Sequence, residues 1–195
     1  MEFELGELGD HKLFNGFEKV VSSAYPFTGK LIKLEVDDVV LPNGRKTQRE
    51  MVLHRGAVAI IAVKDGKVLM ERQYRHSVKK LLWEIPAGTL EAGENLEECV
   101  KRELREETGY VAESIEALVH FYVAPGYSTE VIHIFLAKGL RKEKSSLEED
   151  ELLEVCFMHV DDALGMLGNN EIEDAKTIIG LLLAKNKGLL TCNRS

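Results

Sequence analysis

An uninterrupted apolar run from Ala57 to Val63 limits the possible folds more than any other part of the chain. A short run of this kind, rich in β-branched side chains, is typical of a strand that is buried on both faces of a sheet. Asp65 and Gly66 follow as a tight turn and lead into a second predicted strand, Val68–Tyr74. The run is far too short to span a bilayer, so we expect no membrane partner.

The rest of the chain predicts a mixture of helices and strands. A helix is expected from Leu96 to Thr108, where Asn95 can cap its start and Gly109 its end. Further strands are expected at 117–123, 131–137 and 153–160, and further helices near 161–167 and 173–185. Strands and helices mixed in this way, with hairpins, predict an α/β sandwich that contains a mixed sheet.

The N-terminal part of the chain predicts a small β-rich subdomain. Apolar residues tend to alternate over Leu31–Leu41, Pro42–Gly44 offers a tight turn, and Thr47–Leu53 is the expected return strand. We therefore predict an N-terminal subdomain at residues 1–55 and a main domain at residues 56–195. A two-stranded ribbon is at best marginally stable alone, so its apolar positions need a second surface, in the same chain or in a second subunit.

The net charge limits the kinds of ligand that the protein can bind, and the cysteine content indicates the cellular compartment. With 25 basic and 33 acidic residues the formal net charge is −8, which argues against a duplex nucleic acid, because such a ligand needs a basic face. Three cysteines without a CxxC pair predict neither a disulfide framework nor a thiolate zinc site. The acidic N-terminal segment does not resemble a signal peptide. We expect a cytoplasmic protein.

The predicted helix carries carboxylates on its apolar face. At 100° per residue Glu103 and Glu107 share one side with Leu104. Because a buried unpaired charge is costly, a positive group should lie against that face. It could be an arginine, with Arg102 as the nearest candidate. Three glutamates, Glu106 included, beside a glycine-containing loop favour a hard divalent cation, and oxygen ligands without Cys or His suit Mg²⁺.

The spacing of these residues carries a family resemblance. Gly88 is followed after five residues by Glu94, after seven more by Arg102-Glu103-Leu104, and then by Glu106-Glu107, Gly109 and Tyr110. This segment of 23 residues resembles a complete Nudix box. The resemblance implies an α/β/α sandwich with a mixed sheet, in which the loop and the helix hold the metal ions.

The resemblance also implies roles for individual residues. Glu103 and Glu107 would be the main metal ligands, and Glu106 a further or bridging ligand with a catalytic part. The backbone carbonyl of Ala87, just before the box, resembles another metal ligand of the family. The remaining box residues would be structural: Gly88 and Gly109, and the pair of Glu94 and Arg102, which would tie the loop to the helix. Mg²⁺ is the expected ion, with Mn²⁺ as the alternative.

Outside the box the chain resembles the ADP-ribose pyrophosphatase branch of the family. Pro125 lies sixteen residues after Gly109, within the loop Ala124–Glu130, and residues 72–75, 83–88 and 174–177 are also similar to this branch. The resemblance implies metal-assisted hydrolysis of ADP-ribose to AMP and ribose 5-phosphate. It also implies a homodimer that exchanges its N-terminal strands.

Three residues outside the box are candidates for substrate binding. Arg75 could bind a diphosphate through its forked guanidinium, although a surface ion pair is an equal alternative. Glu130 could accept hydrogen bonds from a ribose or a base, or be an exposed loop residue. Arg49 resembles a residue that contacts the base from the other subunit, or it is a solvated strand position.

An acidic tract, Leu147–Glu151, stands just before a predicted strand. Tracts of this kind are usually solvated. In the branch that this chain resembles, such a loop supplies the general base and a further metal ligand, two residues apart. The alignment assigns Glu149 as the base and Glu151 as the ligand. A shift of one or two residues would exchange them with Glu148 or Asp150.

Two rival functions remain at this point. The same chemistry could act on GDP-mannose, FAD or another nucleoside diphosphate derivative. A non-catalytic module that senses ADP-ribose is the third alternative, and the intact box counts against it.

Overall fold

The computed structural model describes residues 17–143 and 153–190 of the 195-residue chain. In chain order the elements of these ranges are β1 (Lys19–Thr28), β2 (Lys33–Val40), β3 (Lys46–Leu53), β4 (Ala57–Lys64), β5 (Lys67–Arg75), β6 (Lys80–Glu84), β7 (Ala87–Thr89), α1 (Leu96–Thr108), β8 (Tyr110–Val111), β9 (Ser114–Tyr122), β10 (Val131–Lys138), β11 (Arg141–Lys142), β12 (Leu153–His159), α2 (Val160–Gly168) and α3 (Ala175–Asn186). No helix in these ranges is long and apolar enough to cross a membrane.

The chain forms two compact units. The N-terminal unit contains β1–β3 and the distant loop 124–129. This loop joins β3 through the backbone, since Val52 N donates to Tyr127 O at 2.8 Å and Thr129 N donates to Val52 O at 3.0 Å. The main unit contains the rest of the described chain.

The sheet of the N-terminal unit is antiparallel, in the order β1-β2-β3. Gly44 turns β2 into β3 with a φ of 81°, which agrees with the tight turn predicted there. The sequence analysis did not anticipate β1. Its residues are exposed throughout, so neither face shows the alternation that marks a half-buried strand.

The sheet of the main unit is mixed, as predicted. Its strands run in the order β12-β5-β4-β10-β9, with β6 paired to β5 and β7 to β4. Only β4 and β10 are parallel among these pairs. The predicted doubly buried strand is β4, in which residues 58–62 are completely buried. The structure differs from the predicted elements in detail. The expected loop 84–94 contains β7, and the strand expected at 117–123 begins at Ser114. The last helix, expected near 173–185, begins at Ala175 because Asp174 caps it.

Alternate residues of β4 pack on opposite layers. Val58, Ile60 and Ala62 belong to a core with Val100 and Leu104 of α1. Ala59 and Ile61 belong to a second core, whose helical members come from α2 and α3: Val160, Ala163, Leu181 and Ala184. The main unit is therefore an α/β/α sandwich with α1 on one face of the sheet and α2 and α3 on the other.

Candidate active site

The ends of α1 are capped as the sequence predicts. At the start, the Asn95 side chain accepts a hydrogen bond from Glu98 N at 3.0 Å. At the end, Gly109 adopts a φ of 70° and donates its N–H to Arg105 O at 2.9 Å. A left-handed residue there favours glycine. The two caps set which residues of the motif are helical.

The helix periodicity brings Glu103 and Glu107 to the inner face of α1. Glu103 is only 8% exposed and Glu107 only 5% exposed, whereas the neighbouring Glu106 is half-buried. Glu107 Oε2 accepts a hydrogen bond from Ala87 N at 3.1 Å, so the backbone of β7 meets the helix at this carboxylate. The predicted ligand residues Ala87 and Glu107 are therefore direct neighbours.

Gly88 lies against the Glu103 carboxylate. A Cβ at position 88 would overlap both carboxylate oxygens of Glu103. Gly88 is paired with Val58 of the buried strand β4, so its backbone cannot retreat easily. Glycine is therefore required here by the close approach of a charged side chain rather than by backbone conformation.

Arg102 joins the motif loop to the helix. Its Nε and Nη2 donate to the two carboxylate oxygens of Glu94 at 2.8 and 2.9 Å. Its Nη1 donates to Glu103 Oε1 at 2.7 Å and to Glu106 Oε2 at 3.3 Å. The bidentate hydrogen bond from Arg102 lowers the pKa of Glu94 to about 2. The sequence analysis considered an arginine or a cation as the positive partner of the glutamates. In the structure Arg102 is such a partner for Glu103 and Glu106.

The donor set at this place suits a hard divalent cation. Carboxylate oxygens of Glu103, Glu106 and Glu107 and the main chain of Ala87 are all oxygen donors, which Mg²⁺ prefers. Within residues 17–143 and 153–190, no three Asp, Glu, His or Cys side chains converge as a ready metal site. The other two predicted acids, Glu149 and Glu151, lie in 144–152, outside the described residues.

Arg75 makes a bidentate ion pair with Glu84. Its Nε and Nη2 donate to Glu84 Oε1 and Oε2, each at 2.7 Å. The Glu84 hydrogen bond raises the pKa of Arg75, and the negative charges of Asp174 and Glu107 add to that effect. Arg75 is therefore close enough to α1 to interact electrostatically with Glu107. The ion-pair partner of Arg75 is the buried Glu84, so this is not the surface ion pair that the sequence analysis considered.

The structure adds buried charged residues for which the sequence analysis assigned no role. Glu84 is 2% exposed and Lys176 is 9% exposed, and the Lys176 ammonium donates to Glu84 Oε2. Burial raises the pKa of Glu84, but the Arg75 and Lys176 contacts outweigh it and lower that pKa overall. A single charged residue inside the apolar segment Leu81–Ile85 was the available signal for Glu84.

Arg49 and Glu130 lie in different units. Arg49 is exposed on β3 and forms an ion pair with Glu18, with Nε to Oε2 at 2.9 Å. Glu130 stands directly before β10, where its carbonyl accepts a hydrogen bond from Val123 N at 3.2 Å.

The model of the NUDIX domain matches residues 52–180. The chain belongs to the Nudix hydrolase family. Members of the Nudix family generally use divalent metal ions, in agreement with the oxygen donors on α1. A Bacillus subtilis (strain 168) ADP-ribose pyrophosphatase is 43% identical to this Nudix chain over 180 residues, covering 91% of this chain and 97% of that protein.

The chain is also similar to a second bacterial protein and to a solved structure. A methanol dehydrogenase activator from Bacillus methanolicus is 44% identical over 173 residues, covering 87% of this chain and 92% of that protein. A solved structure described as an ADP compounds hydrolase superposes with a TM-score of 0.80 at 23% identity, covering 89% of this chain and 96% of that chain. At that identity the superposition shows a shared Nudix fold.

Proposed function

We propose that this Nudix protein hydrolyses the diphosphate bridge of ADP-ribose to give AMP and ribose 5-phosphate. The observation that carries the proposal is the complete motif, whose Glu103 and Glu107 are buried against β7. Similarity to an ADP-ribose pyrophosphatase over nearly the whole of both chains supports the choice of substrate.

Glu103, Glu107 and the Ala87 carbonyl would hold Mg²⁺, or Mn²⁺ in its place, with Glu106 and Glu151 as further ligands. When bound, such an ion neutralises the diphosphate and lowers the pKa of a coordinated water. Glu106 would have a catalytic part beside the reacting groups.

The other roles belong to residues around this group. Glu149 would accept the proton of the attacking water, and Glu130 would accept hydrogen bonds from the ribose or the base. Arg75 would bind the diphosphate: a guanidinium has five N–H donors, and Glu84 uses two of them. Arg49 would contact the base in the active site of a second subunit.

We further propose a cytoplasmic homodimer with exchanged N-terminal strands, residues 1–55 forming the dimerisation subdomain and 56–195 the catalytic domain. The described part of the N-terminal unit exposes a set of large apolar side chains that a second subunit would cover: Phe17, Val20, Val21, Tyr25, Phe27 and Leu31. Cys99 and Cys156 are free thiols, which suits a reducing compartment.

A substrate panel with product analysis tests the function. Purified protein with Mg²⁺ should turn over ADP-ribose faster than GDP-mannose, FAD, NADH, diadenosine polyphosphates or oxidised dGTP. Glu107→Gln should lose most of the turnover, whereas Glu97→Gln, on the exposed side of the same helix, should not. Tenfold faster turnover of GDP-mannose would replace the substrate, and tight binding of ADP-ribose without turnover would favour a sensing module.

A further inference from the structure

Four charged side chains link β5 and β6 to the start of α3. Arg75 forms its fork with Glu84, and Glu84 Oε2 also accepts from the Lys176 ammonium. Lys176 forms a second ion pair with Asp174 at 3.1 Å. The formal charges of the four groups sum to zero. They form one continuous chain of ion pairs from the half-exposed Arg75 to the buried side of the first turn of α3.

The inner end of this line is held by the fold. Asp174 caps α3, where it accepts hydrogen bonds from Thr177 N at 3.0 Å and from Thr177 Oγ1 at 2.5 Å. Thr177 Oγ1 in turn accepts from Ile85 N at 2.9 Å. Since Thr177 is completely buried, the start of α3 and the end of β6 cannot shift independently. The backbone that carries Lys176 is therefore fixed relative to Glu84.

Stability alone does not explain the burial of these charges. Taking an ion pair out of water costs several kcal/mol per ion, and apolar replacements of similar size are often as stable or more stable. An ion pair does orient its partners, and a bidentate carboxylate fixes the plane of a guanidinium. Glu84 holds two of the five N–H donors of Arg75 and leaves three for another ligand.

We propose that Lys176 is a positioning residue for Arg75. By holding the Glu84 carboxylate from the α3 side, it orients the guanidinium whose remaining donors bind the substrate diphosphate. This inference rests on the proposed function, in which Arg75 contacts the diphosphate. Lys176 itself touches neither substrate nor metal ion.

Steady-state kinetics of Lys176→Met tests the inference. We expect KM for ADP-ribose to rise roughly tenfold while kcat stays within about twofold, because a binding contact is misplaced and the chemical step is intact. Lys176→Arg should restore part of the affinity. The matched control is Lys80→Met, which makes the same change in an exposed ion pair between β6 and the segment just before α3, Lys80 with Glu173, and should leave KM unchanged.

The route of the effect is tested in an Arg75→Ala background. If Lys176 acts through Arg75, adding Lys176→Met to Arg75→Ala raises KM no further. An equal rise in KM in both backgrounds, or a Lys176→Met enzyme with the KM of Lys80→Met, overturns the inference. Glu84→Gln removes the intervening charge at nearly constant volume and gives a second variant, with the same expected rise in KM, should Lys176→Met fold poorly.

A measurement without substrate separates this inference from the proposed function. The Nε–H group of Arg75, observed by NMR and assigned through Arg75→Lys, should exchange slowly in the wild-type protein and in Lys80→Met, and much faster in Lys176→Met. If the protein turns over no ADP-ribose, the proposed function fails while this exchange experiment still decides whether Lys176 holds Arg75. Equal exchange in all three proteins would refute the positioning role.

Discussion

Gly88 shows how a single missing side chain shapes the candidate site. The Glu103 carboxylate occupies the space where a Cβ of residue 88 would be. Helix periodicity alone explains why Glu103 faces inward, but not why a glycine must precede the loop. The glycine is needed because β7 and α1 approach each other so closely.

We predict that Gly88→Ala lowers turnover by roughly 10²-fold, since displacing a reacting group by about 1 Å can have an effect of that size. The added methyl group must push the Glu103 carboxylate away from its place. Turnover and thermal unfolding should be measured together. Gly165→Ala is the control, because a Cβ at Gly165 in α2 meets no atom within 4 Å. Full activity of Gly88→Ala would show that the position of Glu103 is not critical.

A second prediction at this scale concerns the acidic segment outside the described residues. If Glu149 is the general base, Glu149→Gln should lower kcat by roughly 10²–10⁴ with little change in KM. Glu148→Gln and Asp150→Asn are matched controls from the same segment and should retain most of kcat. Should one of them be inactive while Glu149→Gln is normal, the base belongs to that residue.

At the scale of elements, the loop before α1 is tied to the helix by one charge pair. Arg102 donates twice to Glu94, and Glu94 Oε2 also accepts from Glu91 N at 3.0 Å within the loop. Because Arg102 also contacts Glu103 and Glu106, a loosened loop would disturb the charged face of the helix as well.

Glu94 should make stability depend on acid pH. Its pKa is lowered from 4.5 to about 2 in the folded protein. The Glu94–Arg102 contact therefore contributes its full stability above pH 4.5 and loses it as the pH falls toward 2. Thermal unfolding between pH 2 and pH 7 should show wild type more stable than Glu94→Gln at neutral pH, with the difference shrinking below pH 4.5. Glu97→Gln, which breaks only the exposed pair with Lys101, is the control. A difference that stays constant over this range would contradict the assignment.

At the scale of the whole molecule, the exposed strand β1 leaves apolar side chains without cover from the described chain. A patch of this kind is common where another protein surface binds. The proposed dimer with exchanged strands would give this sheet a function, since Arg49 would then serve the active site of the other subunit.

Mixing two inactive variants tests the exchange. Arg49→Ala and Glu107→Gln chains, reassorted at equal concentration, should recover about a quarter of the normal sites, because half of the dimers are mixed and each mixed dimer has one intact site. The measurement is ADP-ribose turnover before and after reassortment. A monomer in analytical ultracentrifugation at micromolar concentration would rule out the dimer. No recovery, with Arg49→Ala inactive alone, would place Arg49 in the site of its own chain.

Local patterns were enough to predict much of this protein. The apolar run at β4 predicted a doubly buried strand, and Asn95 and Gly109 predicted the ends of α1, because caps and periodicity act over a few residues. The same periodicity placed Glu103 and Glu107 on one buried face. Spacing within the 23 residues of the motif was sufficient for the family.

Contacts between distant segments could not be predicted in this way. Glu84 and Lys176 are 92 residues apart, and no local pattern says that the end of β6 meets the start of α3. The bidentate pairing of Arg75 and the close approach of Glu103 to Gly88 likewise depend on how strands and helices pack. Local sequence patterns determine the secondary-structure elements and which face of each element is buried. The partner of a buried charge is determined by packing, because only the folded chain removes both groups from water together.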